Sequence, residues 1–488
     1  MLSRNGTPSS FFDHEFFSKM IPKTHPLTQI NTHMDFSFVT PEVADCYHPS
    51  NGRPSFPPEM LFRVMFLEIW GNLSDVQVCR ELQYNVLYRW FCGIGWEDNV
   101  PDDTTVVVFR RRLGDMKFKA LFERVVEQAK QGGVLRGKWA IIDGTKVIAH
   151  VAVRNNLELI REGKRRILRA VKRHDKKAAE QLSELAEPIK DGEYSSHEQV
   201  LGAEILSGRE LVDKACGIKH KDVAREIKTY SKFLEFDGVA SLTDPDARWG
   251  YQKKDEPFLG YKVEATCDER GIVTAVEVMP GNESELSQAE GMVKDLDDRG
   301  LKPLRMTGDK AYDDSVLRRD LAEVGIRSYV PSRQNLNRLA EQGFTYETKT
   351  SVLQCPCGYQ AIGASPHKKG GLIYYFSQRD CGGCAMRQEC LTGRQKRKVV
   401  YVNPLVWANR PRGLKRAMKI RKTIERVFGD CKTWHKMGRA RYRGLWRVKV
   451  QVYMTVIVVN AKKSVKSIVN KLCETKAKRQ GSSLPCTA

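Results

Sequence analysis

Apolar residues recur at three- and four-residue steps from Pro57 to about Leu113, in PPEMLFRVMFLEIWGNL and VQVCRELQYNVLYRWF. That period predicts amphipathic helices, with Ser74-Asp75 placed to cap the second. Helical patterning continues through FRRRLGDMKFKALFERVVEQAKQ and stops at Gly132-Gly133. The next segment, KWAIIDGTKVIAHVAV, is rich in β-branched residues and predicts a strand with Asp143 in its middle. Strand patterns return in GYKVEATCD and GIVTAVEVMPG, joined at Glu269-Arg270-Gly271 as an antiparallel pair. They then alternate with helices through SELSQAEGMVKDLDDRG, LRMTGDKAYDD, VLRRDLAEVG and IRSYVPS. Such a succession suits an α/β fold, a mixed sheet flanked by helices on both faces.

Two stretches interrupt it. Residues 155–232 are charge-rich and helix-favouring, as in KRRILRAVKRHDKKAAEQLSELAEPIK, and read as a helical insertion. Residues 333–402 carry the strand-like YETKTSVL, GLIYYFS and KVVYV together with Cys355, Cys357, Cys381, Cys384 and Cys390. This is too long for a simple loop and reads as a β-rich, Cys-containing insertion. The expected organisation is an all-α N-terminal domain at 1–135 and a sheet domain assembled from 136–154, 233–332 and 403–472. The two insertions and a disordered tail at 473–488 complete it.

At 488 residues, 41% apolar and 29% charged, the chain can bury a sizeable core. Its formal charge of +22 is concentrated: from Arg410 to Lys449, fifteen Lys and Arg stand against only Glu425 and Asp430, a net of +13. A polyanionic partner, nucleic acid above all, fits that concentration better than a merely solvated surface. Arg110, Arg111 and Arg112 give the N-terminal helices either a grip on DNA or a charged bundle face. The N-terminus lacks a signal-peptide pattern, and the longest apolar run, in VQVYMTVIVVNAKK, is too short to span a bilayer. A cytoplasmic, nucleoid-associated protein without a membrane partner is expected. With no Gly-rich phosphate loop, no nucleotide cofactor is indicated. Thirteen cysteines in such a compartment are thiols or metal ligands rather than disulfides. The C-x-C and C-x₂-C-x₅-C spacings of the second insertion fit either a structural Zn²⁺ or free thiols.

Arg421, Glu425 and Lys432 share one stripe of a helix, so a single carboxylate is flanked by two cations. Taken singly, the acids have local explanations. Asp143-Gly144 could form a hairpin turn, Asp309 could stop a strand or cap a helix, and Glu425 could pair with Arg421. Taken together, two aspartates at strand ends and a glutamate on a later helix can converge as oxygen ligands for two Mg²⁺ or Mn²⁺ ions. Turn and cap roles suit Asp244, Asp246, Asp313 and Asp314, while His150 and His435 read as DNA-facing or structural.

In these residues the chain resembles the DDE transposases of bacterial insertion sequences. IIDGTKV looks like the family's first catalytic strand, TGDKAYDD like the strand and turn of its second aspartate, and RKTIERVFGDCK like the helix of its glutamate. PPEMLFRVMFLEIWGNLSDVQVCRELQYNVLYRWFCGIG is similar to the helical N-terminal domain of one insertion-sequence group, and SLTDPDARWG extends the likeness. It covers most of Pro57 to about Leu472. The resemblance implies a ribonuclease-H-like core whose Asp143, Asp309 and Glu425 bind the metals. It also implies DNA contacts from Arg421 and Lys432, continued by Arg439, Arg441 and Arg443. The implied substrate is double-stranded DNA, cut at the element's terminal inverted repeats and joined to target DNA by a homodimer. In the family's Tyr-Arg-Glu-Lys signature, the tyrosine position is Met418 here, which leaves open any aromatic DNA contact. A nuclease of the same fold without strand transfer, or a domesticated DNA-binding protein, would share these residues.

Overall fold

The computed structural model describes residues 1–2, 11–48, 50–189, 196–235, 238–251, 256–284, 286–332, 339, 342–347, 349–367, 371–403 and 413–480. Its N-terminal part consists of α1 (Phe11–Met20), α2 (Pro26–His33), α3 (Val39–Glu42), α4 (Pro58–Trp70), α5 (Asp75–Tyr84), α6 (Val86–Phe91) and α7 (Asp103–Gln131). Ser74 caps α5 as its sequence predicts: its hydroxyl accepts from Gln77 N, and the Gln77 side chain accepts from Ser74 N in return. The one helix expected over VQVCRELQYNVLYRWF is two, because Asn85 leaves helical geometry and its side chain caps α6. Gly114 kinks α7, with a φ of 64° that a side chain would strain.

After β1 (Trp139–Ile148) the chain departs into α8 (Asn156–Lys172), α9 (Lys176–Ala186), α10 (His197–Ala215) and α11 (Lys221–Leu234). These four helices bury their own core. Tyr230 of α11 fits against two glycines: a Cβ at Gly163 would stand 2.1 Å from its ring and one at Gly208 2.3 Å from its hydroxyl. Nearby, the fully buried Lys164 and Glu204 pair at 2.5 Å, with Arg161 sharing the carboxylate at 2.8 Å.

The sheet is completed by β2 (Arg248–Tyr251), β3 (Pro257–Cys267), β4 (Val273–Pro280), β5 (Arg305–Thr307) and β6 (Arg327–Ser328). β3 runs antiparallel to β1, β2 and β4, whereas β1, β5 and β6 are mutually parallel neighbours. This is the expected ribonuclease-H-like mixed sheet. α12 (Leu286–Asp298) leads into β5, and α13 (Ser315–Glu323) into β6.

A second excursion holds β7 (Thr345–Glu347), β8 (Val352–Gln354), β9 (Gly363–Pro366), β10 (Leu372–Tyr375), α14 (Gln378–Gly382), α15 (Arg387–Cys390) and β11 (Val399–Val402). A hairpin, β7–β8, and the sheet β11–β10–β9 close around a small core including Phe344, Leu353, Tyr374 and Phe376. The chain then returns through α16 (Leu414–His435) and α17 (Leu445–Gln480).

Between Val448 and Ala461, α17 is apolar on almost every side: Val450, Tyr453, Met454, Ile457 and Val458 are all buried. It packs against α2, α4 and α7 as well as against β4 and α16. A single apolar core therefore runs from the N-terminal helices into the sheet. Residues 473–480 are helical where a disordered tail is expected, since KLCETKAKRQ is dominated by good helix formers; 481–488 lie outside the described residues. Among the described residues no helix is long and apolar enough to cross a membrane.

The glycine notches generate a paired expectation. Gly163→Ala or Gly208→Ala should destabilise the α8–α11 unit by about 1–3 kcal/mol through overpacking against Tyr230. Gly202→Ala, on the same α10 but facing open space, should be neutral or stabilising by up to about 1 kcal/mol. Amide exchange within residues 156–234 checks both, and equal effects at 202 and 208 would discredit the notch.

Candidate active site

α16 lies across β1, β3 and β5 because Ala417, Ile424, Val427, Phe428 and Cys431 form its buried stripe. That seating fixes the rotation of the helix and leaves Arg421 and Glu425 on its flank. Arg421 Nη1 donates to Asp143 Oδ2 at 2.9 Å, and Nη2 donates to Glu425 Oε1. One guanidinium thus joins the first and last of the three acids. Glu425 is otherwise exposed.

Asp143 does not occupy a hairpin turn. β1 continues past it to Ile148, with Asp143 opposite Ala265 and Gly144 opposite Glu264 in β3. Its Oδ1 accepts from Gly144 N at 3.0 Å. On the other side, β1 and β5 pair in parallel with Ile141 opposite Thr307. The pairing ends there, and Asp309 follows two residues beyond Thr307. Gly308 lies close to β1, since a Cβ there would meet Ile142 Cγ2 at 2.9 Å. The Asp309 carboxylate accepts from Ala311 N at 2.7 Å and caps the short turn Lys310–Tyr312. The three acids therefore come from β1, the end of β5 and α16. Among the described residues only His174, His220 and Asp222, in the helical insertion, bring three possible ligand atoms within 4.8 Å of one another. The acids of the sheet stand wider apart, with Arg421 between two of them.

Lys432 is half-buried further along α16, and burial followed by the nearby Lys146 holds its ammonium below the usual lysine range. The loop after α16 then pairs with the end of β1: Ile148 N donates to Gly438 O at 3.0 Å and Ala440 N to Ile148 O at 2.8 Å. This brings exposed Arg439 and Arg443 to the same end of the sheet, with Arg443 Nε donating to His150 O at 3.3 Å.

Arg441 and Arg110 require a correction. Arg441 donates to Leu73 O at 2.7 Å, Asn72 Oδ1 at 3.2 Å and Glu68 Oε1 at 3.5 Å, so it fastens the loop to the end of α4 rather than extending a basic surface. Arg110 is buried, paired with Asp75 at 2.5 Å and Glu68 at 3.3 Å beneath the Tyr442 ring, and is not available to grip DNA. Arg111 and Arg112 remain exposed. Tyr442 completes the cluster by donating to Glu68 Oε1 at 2.6 Å. Burial pushes the Glu68 carboxyl up to about 7 against the pull of Arg110. The sequence did contain a signal for this cluster: Glu68 is the one acid inside the apolar run MLFRVMFLEIW.

His435 is structural. Its Nδ1 bonds Ile69 O at 2.9 Å, Lys462 Nζ donates to its Nε2 at 3.2 Å, and burial lowers its pKa to about 4. The spare aspartates are structural, though only Asp314 is a helix cap as expected. Asp244 accepts from Tyr261 Oη and Gly444 N, and Asp246 accepts from Leu445 N at the start of α17. Asp313 pairs with Arg318, and Asp314 caps α13. Met418 is half-buried on α16. The five cysteines of the β-rich insertion line a separate cavity.

Two family models match the chain. Residues 15–112 match one described as Transposase domain (DUF772), and residues 224–461 match one described as Transposase DDE domain. Asp309 and Glu425 fall inside the second match, whereas Asp143 lies between the two. No solved structure matches the chain.

Because Arg441 serves a buried carboxylate, Arg441→Ala should cost about 3 kcal/mol of stability. Arg439→Ala and Arg443→Ala, at exposed positions, should each stay within about 0.5 kcal/mol of wild type. Chemical denaturation of the three variants separates the roles, and a neutral Arg441→Ala would return that residue to the exposed basic set.

Proposed function

The chain belongs to the DDE-type transposases of insertion sequences, and on that footing we propose that it cuts double-stranded DNA at its element's terminal inverted repeats and joins the freed 3′ ends to target DNA. Asp143, Asp309 and Glu425 are the proposed metal-binding acids. The bond from Arg421 to both Asp143 and Glu425 carries this assignment. Asp143 lies outside both family matches, yet it shares a cation with an acid inside one of them. A guanidinium held between carboxylates also marks a place fit for positive charge, and a set of hard oxygen donors suits Mg²⁺ or Mn²⁺ rather than a thiophilic ion. When bound, divalent ions supply charge neutralisation and Lewis acidity for an in-line displacement at phosphorus.

The protein's own contribution is positional. Paired strand backbone holds Asp143, the turn after β5 holds Asp309, and the buried face of α16 seats the helix that carries Glu425. Arg421 offers a planar fork suited to phosphate whenever its carboxylates are neutralised by another cation. Lys432 adds a point charge near Asp143. Arg439 and Arg443 carry the positive surface along the end of β1, and contacts of this kind supply affinity more than sequence choice. Recognition of the element ends then falls mainly to the N-terminal helices.

With Mg²⁺ or Mn²⁺ and DNA bearing the element ends, Asp143→Asn, Asp309→Asn and Glu425→Gln should each reduce cleavage by at least about a hundredfold while leaving end binding largely intact. Near-normal cleavage by any one of them removes that residue from the set. Separately, Arg439→Ala with Arg443→Ala should weaken binding to element ends and unrelated DNA alike. The slope of log affinity against log salt should flatten by about one unit per lost phosphate contact. An unchanged slope with lost discrimination between the two DNAs would move sequence reading into this loop.

A further inference from the structure

The β-rich insertion between β6 and α16 contains a second cluster of chemistry, independent of the carboxylates. Cys355 and Cys357 follow β8, Cys381 lies in α14, Cys384 follows it, and Cys390 ends α15. All five line one cavity of about 340 Å³. They are free thiols, and the sulfurs of Cys357 and Cys384 approach to 3.3 Å. Lys398 N already donates to Cys381 Sγ at 3.4 Å.

We propose that this cluster is a structural zinc site, in which Cys357, Cys381 and Cys384 supply three thiolates and the fourth comes from Cys355 or Cys390. An all-thiolate, four-coordinate set suits Zn²⁺ and leaves no position for substrate. The insertion also has a physical need for such a site. Among the described residues its core consists of seven buried side chains, Phe344, Tyr346, Leu353, Tyr374, Phe376, Val400 and Val402, beneath strands of three or four residues. A core this small gains its stability from a staple, and metal binding couples directly to folding. Among the described residues no three of these sulfurs lie within 4.8 Å of one another. Zinc–sulfur bonds of about 2.3 Å require closer spacing, so ion binding draws α14 and α15 toward the β7–β8 hairpin.

The test uses the full chain purified without chelator. Metal analysis should find about one zinc per chain in a colourless protein. The double variant Cys357→Ser with Cys384→Ser should retain less than about a tenth of that. Because this variant could fail to fold the insertion, wild type is also treated with a zinc chelator. Proteolysis should then open residues 342–402 while residues 139–148 of β1 stay protected, and added Zn²⁺ should restore resistance. Absence of stoichiometric zinc, full zinc retention by the double variant, or unchanged protease resistance after zinc removal would each overturn the proposal. So would iron with sulfide-derived visible absorption, since iron–sulfur clusters use the same four-thiolate donor set.

Discussion

The fold depends on α17 having no polar face along its buried stretch. A helix buried on almost every side from Val448 to Ala461 cannot rest on one surface of a sheet; it needs neighbours nearly all round. The N-terminal helices α2, α4 and α7 meet that need on one side, and β4 with α16 on the other. Each fully buried Val, Ile or Met contributes about 1.5–3 kcal/mol, so the side chains of this segment far outweigh any surface ion pair in the molecule. Because the two halves of the core meet across one helix, the N-terminal helices are a wall of the sheet's own core rather than an appendage.

Polar contacts then convert that packing into precision. Glu68, at the end of α4, collects Arg110, Arg441 and Tyr442, and Ile69 O holds His435. These bonds cross from the N-terminal helices to the last turn of α16 and the loop beyond it. α16 is thereby held at its C-terminal end by α4 and along its length by β1, which sets the height of Arg421 above Asp143. Two charge systems of opposite exposure flank this arrangement, one between α4, α7 and the loop after α16, the other between α16 and β1. The Glu68 cluster is buried and closed, whereas the Arg421 bridge is reachable from solvent and can exchange one cation for another.

The succession of strands and helices and the stripe that sets Arg421 beside Glu425 were legible because each rests on local pattern: β-branched residues in KWAIIDGTKV, a turn at Glu269-Arg270-Gly271, and four-residue spacing on a helix. That β1 and β5, the strands of Asp143 and Asp309, are neighbours could not be read, because it is a matter of register between segments far apart in sequence. Charge was less informative at the level of single residues. Arg441 and Arg439 look alike in GRARYRG, yet Arg441 finds its partner Glu68 on α4, far away in sequence, while Arg439 stays exposed. Arg110 was misread for the same reason, since its partners Glu68 and Asp75 belong to other helices. The break at Asn85 inside a continuous helical pattern was hidden because asparagine is tolerated within helices as well as at caps.

The place of α17 in the chain order bears on synthesis. Chains fold as they emerge, N-terminal parts first. Here the N-terminal helices and the sheet strands leave the ribosome well before the helix that joins their cores, and Glu425 precedes that helix by only twenty residues at Leu445. A nascent or prematurely ended chain lacking α17 carries all three acids without the helix that packs behind α16, and it exposes two open apolar faces. Until α17 packs, the core that seats α16 across the sheet is open on one side, so the placement of Glu425 and the burial of the core depend on the same helix.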